Sequence, residues 1–63
     1  MLYVIRRTDQ GGGWVSQSGS KCSYTLALQT ARVWQTREAA ERQRCPGNEV
    51  VESVEQVLAD HRR

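Results

Sequence analysis

Residues 36–44 read TREAAERQR, a run of strong helix formers behind a threonine of the kind that caps helices. Two pairs of oppositely charged side chains stand four residues apart in this run and favour a helix: Arg37 with Glu41, and Glu38 with Arg42. A proline and a glycine at 46–47 end it. We therefore predict one main helix over about residues 36–45, which buries the small side chains of Ala39, Ala40 and Cys45 against a sheet.

Short β-rich runs lie on both sides of this helix. Residues 2–7 (LYVIRR) predict a first strand with alternating faces, and residues 14–17 predict a second strand. The loop 8–13 between them ends in three successive glycines, so the two strands are expected to form a β-hairpin. Residues 49–52, with two valines at their centre, predict the last strand.

Residues 24–31 have an ambiguous pattern, because their apolar positions fit either one helical turn or a strand. We favour a short helical turn there, followed by a brief strand at residues 32–34. The resulting order is β-β-turn-β-α-β-α. It predicts a single small α+β domain over residues 1–63, in which helices lie on one face of a sheet of three or four mostly antiparallel strands.

A short second helix is expected at the C-terminal end. Ser53 and Gln56 have the spacing of a capping box. Four side chains then fall at the spacing of one helical stripe: Val54, Val57, Leu58 and His61. This stripe either packs on the sheet of its own domain or forms a face for a partner, and the sequence leaves both readings open.

The size and composition of the chain set further limits. With 63 residues, it forms one domain at most and has a thin core. No apolar run is long enough to span a membrane, and the first residues lack the pattern of a secretion signal, so we expect a cytoplasmic protein that begins at Met1 as a complete small gene product. The two cysteines, Cys22 and Cys45, are expected to be free thiols.

The sequence shows no arrangement of residues suited to catalysis. The only histidine, His61, lies too near the chain end to be fixed in a triad. Together with Cys22 and Cys45 it gives three isolated metal-ligand candidates, where a structural zinc site needs four. The triple glycine at 11–13 is followed by a strand rather than by the helix of a phosphate loop. We therefore predict no enzyme, no cofactor and no metal.

Binding to nucleic acid is one alternative. Seven basic residues could act with an exposed tryptophan: Arg6, Arg7, Lys21, Arg32, Arg37, Arg42 and Arg44. However, the sequence pI is about 8.8 and the last third of the chain is acidic, whereas nucleic-acid-binding domains tend to be more basic and to carry a clear basic stripe.

Binding to a protein fits the composition better, since tryptophan, tyrosine and arginine are the usual hot spots of interfaces. The candidate partner-binding residues are the aromatic and arginine anchors Trp14, Arg32, Trp34, Arg37 and Arg44.

Several segments together have a familiar pattern: residues 3–7 (YVIRR), 13–15 (GWV), 23–25 (SYT), Leu28, 31–32 (AR), Trp34, 36–41 (TREAAE), 50–51 (VV) and 54–55 (VE). The chain resembles, over nearly its whole length, short proteins of uncharacterised function that bacteriophages, prophages and other mobile elements of bacteria encode. The resemblance implies an origin and a small α+β fold, and none of the matched positions is a catalytic signature.

The function that this resemblance implies is that of a phage or prophage accessory protein in the cytoplasm of a bacterial host cell. Such proteins commonly bind a host protein and block it, and several anti-CRISPR proteins have this size and class. Our leading prediction is thus a non-enzymatic modulator of a host protein that acts by steric blockade. The alternatives are a small nucleic-acid-binding protein with an arginine-rich face and an inert module that forms a homodimer.

Overall fold

The structure is a computed structural model that describes the backbone of residues 1–61 and the side chains of residues 1–60. The elements follow one another as β1 (Tyr3–Arg7), β2 (Trp14–Val15), β3 (Tyr24–Thr25), one 3₁₀ turn (Leu28–Thr30), α1 (Arg37–Gln43), β4 (Glu49–Ser53) and α2 (Val54–His61). The four strands form one antiparallel sheet in the order β3-β2-β1-β4. The predicted α+β class, with a main helix and a short C-terminal helix, is confirmed.

Strand β1 lies inside the sheet and pairs with β4 along its whole length, from Tyr3 opposite Ser53 to Arg7 opposite Glu49. On its other side it pairs with β2, in the hairpin that the glycine loop was predicted to close. This loop needs its glycines, because the φ angles of Gly11, Gly12 and Gly13 are 92°, 81° and 103°.

The core has two parts, one on each face of the sheet. Neighbouring side chains of a strand point to opposite faces, so Val4 and Ile5 of β1 are buried in different clusters. We call the two sides the α1 face, where Ile5 packs with Trp34 and Ala40, and the α2 face, where Val4 packs with Ala31 and Val57. The expectation that both helices lie on one face is therefore wrong: each face of β1 carries a large apolar side chain, and each needs its own cover.

Helix α1 begins where the sequence predicted, because the Thr36 hydroxyl accepts a hydrogen bond from the Ala39 amide at 3.1 Å. Ala40 is completely buried on the sheet and Ala39 is half-buried, but Cys45, predicted for the same face, is exposed because the helix ends at Gln43. Residues 32–34 do not form the predicted strand. Two isolated bridges stand in its place, Ser16 with Ala31 and Tyr3 with Trp34.

Helix α2 also has its predicted cap, since the Ser53 hydroxyl accepts a hydrogen bond from the Gln56 amide at 3.1 Å. The Gln56 side chain, however, bonds to Asp60 and not back to Ser53. Of the predicted stripe, Val57 is buried, Val54 is half-buried and Leu58 is exposed; the side chain of His61 lies outside the described residues. No helix in the described part of the chain is long and apolar enough to cross a membrane.

Candidate functional site

Trp14 occupies the first position of β2, directly after the glycine loop. It pairs with Arg6 of β1, and paired residues of adjacent strands share a face, so its indole lies on the α2 face. There it is half-buried against the Val4 cluster. Trp14 lines two surface grooves.

The first groove is apolar and has a volume of about 450 Å³. We call it the leucine groove; its lining residues are Trp14, Leu26, Ala27, Leu28, Gln29 and Leu58. Leu26 is 79% exposed and Leu58 is 46% exposed, although both side chains are apolar. Burying such a side chain in an interface stabilises a complex by about 1 to 2 kcal/mol.

Leu26 stands on a turn that hydrogen bonds fix in place. The Thr25 hydroxyl accepts from the Ala27 amide at 3.1 Å and lies 2.7 Å from the Thr30 hydroxyl. The Thr30 hydroxyl also donates to the Ala27 carbonyl at 3.0 Å. The exposed leucine is thus presented by a preorganised segment, which lowers the entropy cost of binding a partner there.

The second groove is charged and has a volume of about 400 Å³. We call it the acidic groove; its lining residues are Arg6, Gly13, Trp14, Glu52, Val57 and Asp60. Arg6 and Glu52 form an ion pair with their Nε and Oε2 atoms 3.0 Å apart. Asp60 accepts a hydrogen bond from the Gln56 side chain at 3.0 Å. The two grooves and Trp14 together are the Trp14 surface.

Among the described residues away from Trp14, Arg32, Arg37 and Arg7 each stack on an aromatic ring. Arg32 lies 5.0 Å from the Trp34 ring centre, Arg37 lies 5.2 Å from that of Tyr3, and Arg7 lies 4.5 Å from that of Tyr24. Such cation–π contacts stabilise by about 0.5 to 1 kcal/mol at exposed sites. Each guanidinium covers one face of its ring, so a nucleic-acid base would have to displace the arginine to stack on that face.

A cluster around Glu49 connects the two edge strands of the sheet. The carboxylate of Glu49 is buried, and it accepts hydrogen bonds from the Tyr24 hydroxyl and, at 2.7 Å, from the Cys45 amide. Arg44 donates to the Glu49 carbonyl at 2.9 Å. The hydrogen bond to Glu49 and burial raise the pKa of Tyr24 above its ordinary value. This cluster holds β3 against β4 and the end of α1.

The five predicted anchor residues do not form one site. Trp14 lies on the Trp14 surface, but Trp34 is only 7% exposed and belongs to the core of the α1 face. Arg44 is half-buried and is bonded to Glu41 and Glu49. Arg32 and Arg37 are exposed on the α1 side of the sheet, where they stack on Trp34 and Tyr3.

The two leucines of the site were not among the predicted anchors. Leu58 belongs to the stripe of α2, for which the sequence left a partner face open. The helical turn predicted for residues 24–31 forms only at Leu28–Thr30, whereas Tyr24–Thr25 form a strand. Leu26 lies exposed between the two, where the hydroxyls of Thr25 and Thr30 shape the chain. The Thr-x-x-x-x-Thr spacing of Thr25 and Thr30, with Leu26 directly after the first threonine, is the only local signal that could have indicated it.

Cys22 and Cys45 are both exposed and are not joined in a disulfide. Within the described residues, no three His, Cys, Asp or Glu side chains come close enough together to hold a metal ion. Comparisons of the chain with protein-family models, with curated proteins and with solved structures return no match.

Proposed function

We propose that this chain is a non-enzymatic accessory protein of a bacteriophage or prophage that binds a host protein in the bacterial cytoplasm and modulates it by steric blockade. The observation that carries the proposal is the Trp14 surface. Tryptophan is among the residues that dominate binding hot spots, and the two exposed leucines beside Trp14 add apolar contact area with polar groups around it, as at the core and rim of an interface. The phage origin and the class of host target rest on the resemblance described above.

The charge distribution favours a protein partner over nucleic acid. Of the arginines that were candidates for phosphate contacts, Arg6 pairs with Glu52, Arg7 with Asp9 and Arg44 with Glu41. These three are neutralised by neighbouring carboxylates. Phosphate binding depends on unneutralised cations that release counterions, so pairing them weakens the case for a basic stripe.

The carboxylates of Glu49 and Glu52 have partners within the domain and stabilise the fold. Glu49 accepts hydrogen bonds from Tyr24 and Cys45 inside the domain, and Glu52 pairs with Arg6. A general base must reach a substrate proton from a positioned carboxylate or histidine. The buried carboxylate in the described part of the chain is instead committed to holding two strands together, which supports a binding role.

Affinity capture with matched variants tests the proposal. Tagged protein is incubated with bacterial lysate, with and without nuclease, and the captured proteins are identified by mass spectrometry. The test variants are Leu26→Asp and Leu58→Asp. The control is Val33→Asp, since Val33 is 45% exposed but lines neither groove. Circular dichroism verifies that each variant is folded.

We expect one host protein, at a stoichiometric amount, on the wild type and on Val33→Asp, with or without nuclease. Both leucine variants should lose it, because a carboxylate in an apolar interface is desolvated without a partner. The proposal is wrong if all variants capture the same proteins, or if the captured material is nucleic acid and proteins that disappear with nuclease.

A further inference from the structure

Strand β4 forms one edge of the sheet, and it is long and regular enough to pair with a further strand. It has five residues, Glu49–Ser53, and pairs with β1 residue for residue without a bulge. Proteins usually protect such an edge by keeping the strand short or by placing a proline, a bulge or a lysine in it. The opposite edge strand, β3, is only two residues long. Strand β4 has none of these protective features.

The backbone groups of β4 alternate between the two sides of the strand. Just after β4, the Val54 amide donates to the Leu2 carbonyl at 2.8 Å, and just before it, the Thr8 amide donates to the Asn48 carbonyl at 2.8 Å. Hydrogen-bonded pairs of an antiparallel ladder recur at every second residue, so the even-numbered residues of β4 bond to β1. The N–H and C=O groups that point outward, away from β1, are those of Glu49, Val51 and Ser53.

This outward row is open at its centre. Within residues 1–60, the only group beyond the sheet that bonds to it is the guanidinium of Arg44, which donates to the Glu49 carbonyl at 2.9 Å. That oxygen keeps its second lone pair. Helix α2 begins at the end of β4 and leads away from the edge, since Leu58 lines a groove together with Trp14 of β2. The backbone groups of Val51 therefore remain available for another strand.

We infer that this edge pairs with the same edge of a second copy of the chain, in antiparallel orientation about a two-fold axis at Val51. The outward groups are spaced symmetrically about Val51, so Val51 bonds to its own counterpart and Glu49 bonds to Ser53 of the second copy. This register uses all five residues of β4 and forms about six hydrogen bonds, two for each of three hydrogen-bonded pairs. The second copy supplies a strand of the right length and spacing by symmetry alone.

Neighbouring registers of the same edge fit worse. A two-fold axis at Glu52 places the two Glu52 carboxylates directly opposite each other, and like charges in that position are destabilising. An axis at Val50 places Ser53 opposite Gly47, whose φ of 100° lies outside the strand region. With the axis at Val51, the exposed side chain of Val50 lies opposite Glu52 of the second copy, and both carboxylates are already paired within their own domains.

The dimer is independent of what binds at the Trp14 surface. A two-fold axis that pairs two edges runs perpendicular to the sheet, so the α2 faces of both copies lie on the same side of one continuous sheet. Trp14 itself lies in β2, which is separated from β4 by β1. The two Trp14 surfaces would therefore both face the same way and stay outside the contact.

Sedimentation of the full chain and its variants measures the dimer. Val51→Pro removes the outward N–H group at the centre of the edge and none of the bonds to β1. Val51→Ala is the matched control, because it also loses the side chain that packs on the α1 face but keeps the N–H group. We expect the wild type and Val51→Ala to dimerise within a range of about 1 μM to 1 mM, and Val51→Pro to raise the Kd at least about tenfold. Leu58→Asp should dimerise like the wild type.

Disulfide formation tests the register separately. In every protein, Cys22 and Cys45 are first replaced by serine. A protein with Val50→Cys is then mixed with one that carries Glu52→Cys, under mild oxidation by glutathione disulfide. In the proposed register these two positions form a non-hydrogen-bonded pair with Cα atoms about 4.5 Å apart, which a disulfide can span. We expect this mixed disulfide to form faster than either like-with-like disulfide, and faster than that of Val50→Cys with Glu38→Cys, an exposed position of α1.

Three results would overturn the inference. The first is a wild type that stays monomeric up to about 1 mM. The second is a folded Val51→Pro that dimerises as well as Val51→Ala, or, if circular dichroism shows Val51→Pro to be unfolded, a mixed disulfide that forms no faster than the others. The third is a dimer that Leu58→Asp dissociates, since the second copy would then occupy the Trp14 surface. A monomer that still captures a host protein through Leu58 contradicts this inference and leaves the proposed function standing.

Discussion

Replacing Tyr24 with phenylalanine removes the hydroxyl that donates to Glu49 and keeps the ring on which Arg7 stacks. A hydrogen bond to a charged group contributes about 1.5 to 3 kcal/mol to stability. Because Tyr24 is only half-buried, we expect the lower end, a loss of about 1.5 kcal/mol near pH 7. A domain of this length has a total free energy of unfolding of roughly 3 to 9 kcal/mol, so urea denaturation followed by circular dichroism resolves the change.

The same bond makes a prediction about pH. Its neutral phenol donates to Glu49, which raises the pKa of Tyr24 above its ordinary value of 10.0. The stability that this hydrogen bond contributes is complete below about pH 10, which is the pKa of a tyrosine in the unfolded chain. It is lost as the pH rises through the higher pKa of Tyr24 in the folded state. The difference between the wild type and Tyr24→Phe should therefore shrink above pH 10.

Tyr3→Phe is the matched control, because Tyr3 is also a half-buried tyrosine that stacks with an arginine. We expect it to change the free energy of unfolding by no more than about 0.5 kcal/mol. The double variant Tyr24→Phe/Glu49→Gln should lose less than the sum of the two single changes. The Tyr24–Glu49 hydrogen bond does not stabilise the domain if Tyr24→Phe lowers the free energy of unfolding no more than Tyr3→Phe does, or if its effect is the same at pH 7 and well above pH 10.

Three further predictions concern the fold. Gly11→Ala should lower the free energy of unfolding by about 1 to 2 kcal/mol, because the φ angle of Gly11 is 92°. Gly13→Ala should lower it by at least about 1 kcal/mol more, since the new Cβ would lie 3.1 Å from the Thr25 carbonyl oxygen. Urea denaturation of both variants measures the two losses. Thr36→Ala should lower the free energy of unfolding by about 1 kcal/mol, because the helix cap is lost. The midpoint of urea denaturation should fall while the slope of the free energy against urea concentration stays unchanged. Trp34→Ala should cost about 3 to 5 kcal/mol and leave the domain largely unfolded in circular dichroism, as expected of a core residue and not of a surface anchor.

Local signals were sufficient to predict helix α1 and the hairpin. A cap, charged pairs four residues apart and a proline–glycine stop all act within a few residues of the chain, and a triple glycine fits only a turn. The segment around Leu26 could not be predicted in this way. Its apolar positions fit two structures, and hydrogen bonds of the Thr25 and Thr30 hydroxyls determine which of them forms.

The candidate site was predicted only in part, because composition does not show which aromatic or arginine residues the fold itself uses. Trp34 is buried through its pairing with Tyr3, and Arg44 is bonded to the carbonyl of Glu49. Both contacts form only when the chain is folded, so the sequence pattern around each residue does not reveal them. Trp14 lies on the surface because Arg6, its partner across the hairpin, is on the face where the sheet is only partly covered.

Binding of a protein to the Trp14 surface is measured best as the affinity of three forms of this chain for the host protein that the capture experiment is expected to identify. Isothermal titration calorimetry at low and high salt would compare the wild type, Leu58→Asp and Val33→Asp. We predict a Kd that rises at least about tenfold for Leu58→Asp, which corresponds to about 1.4 kcal/mol, no change for Val33→Asp, and only a small effect of salt. Equal affinities of the wild type and Leu58→Asp, or a steep fall in affinity with salt of the kind that phosphate binding shows, would mean that the Trp14 surface is not a protein-binding site.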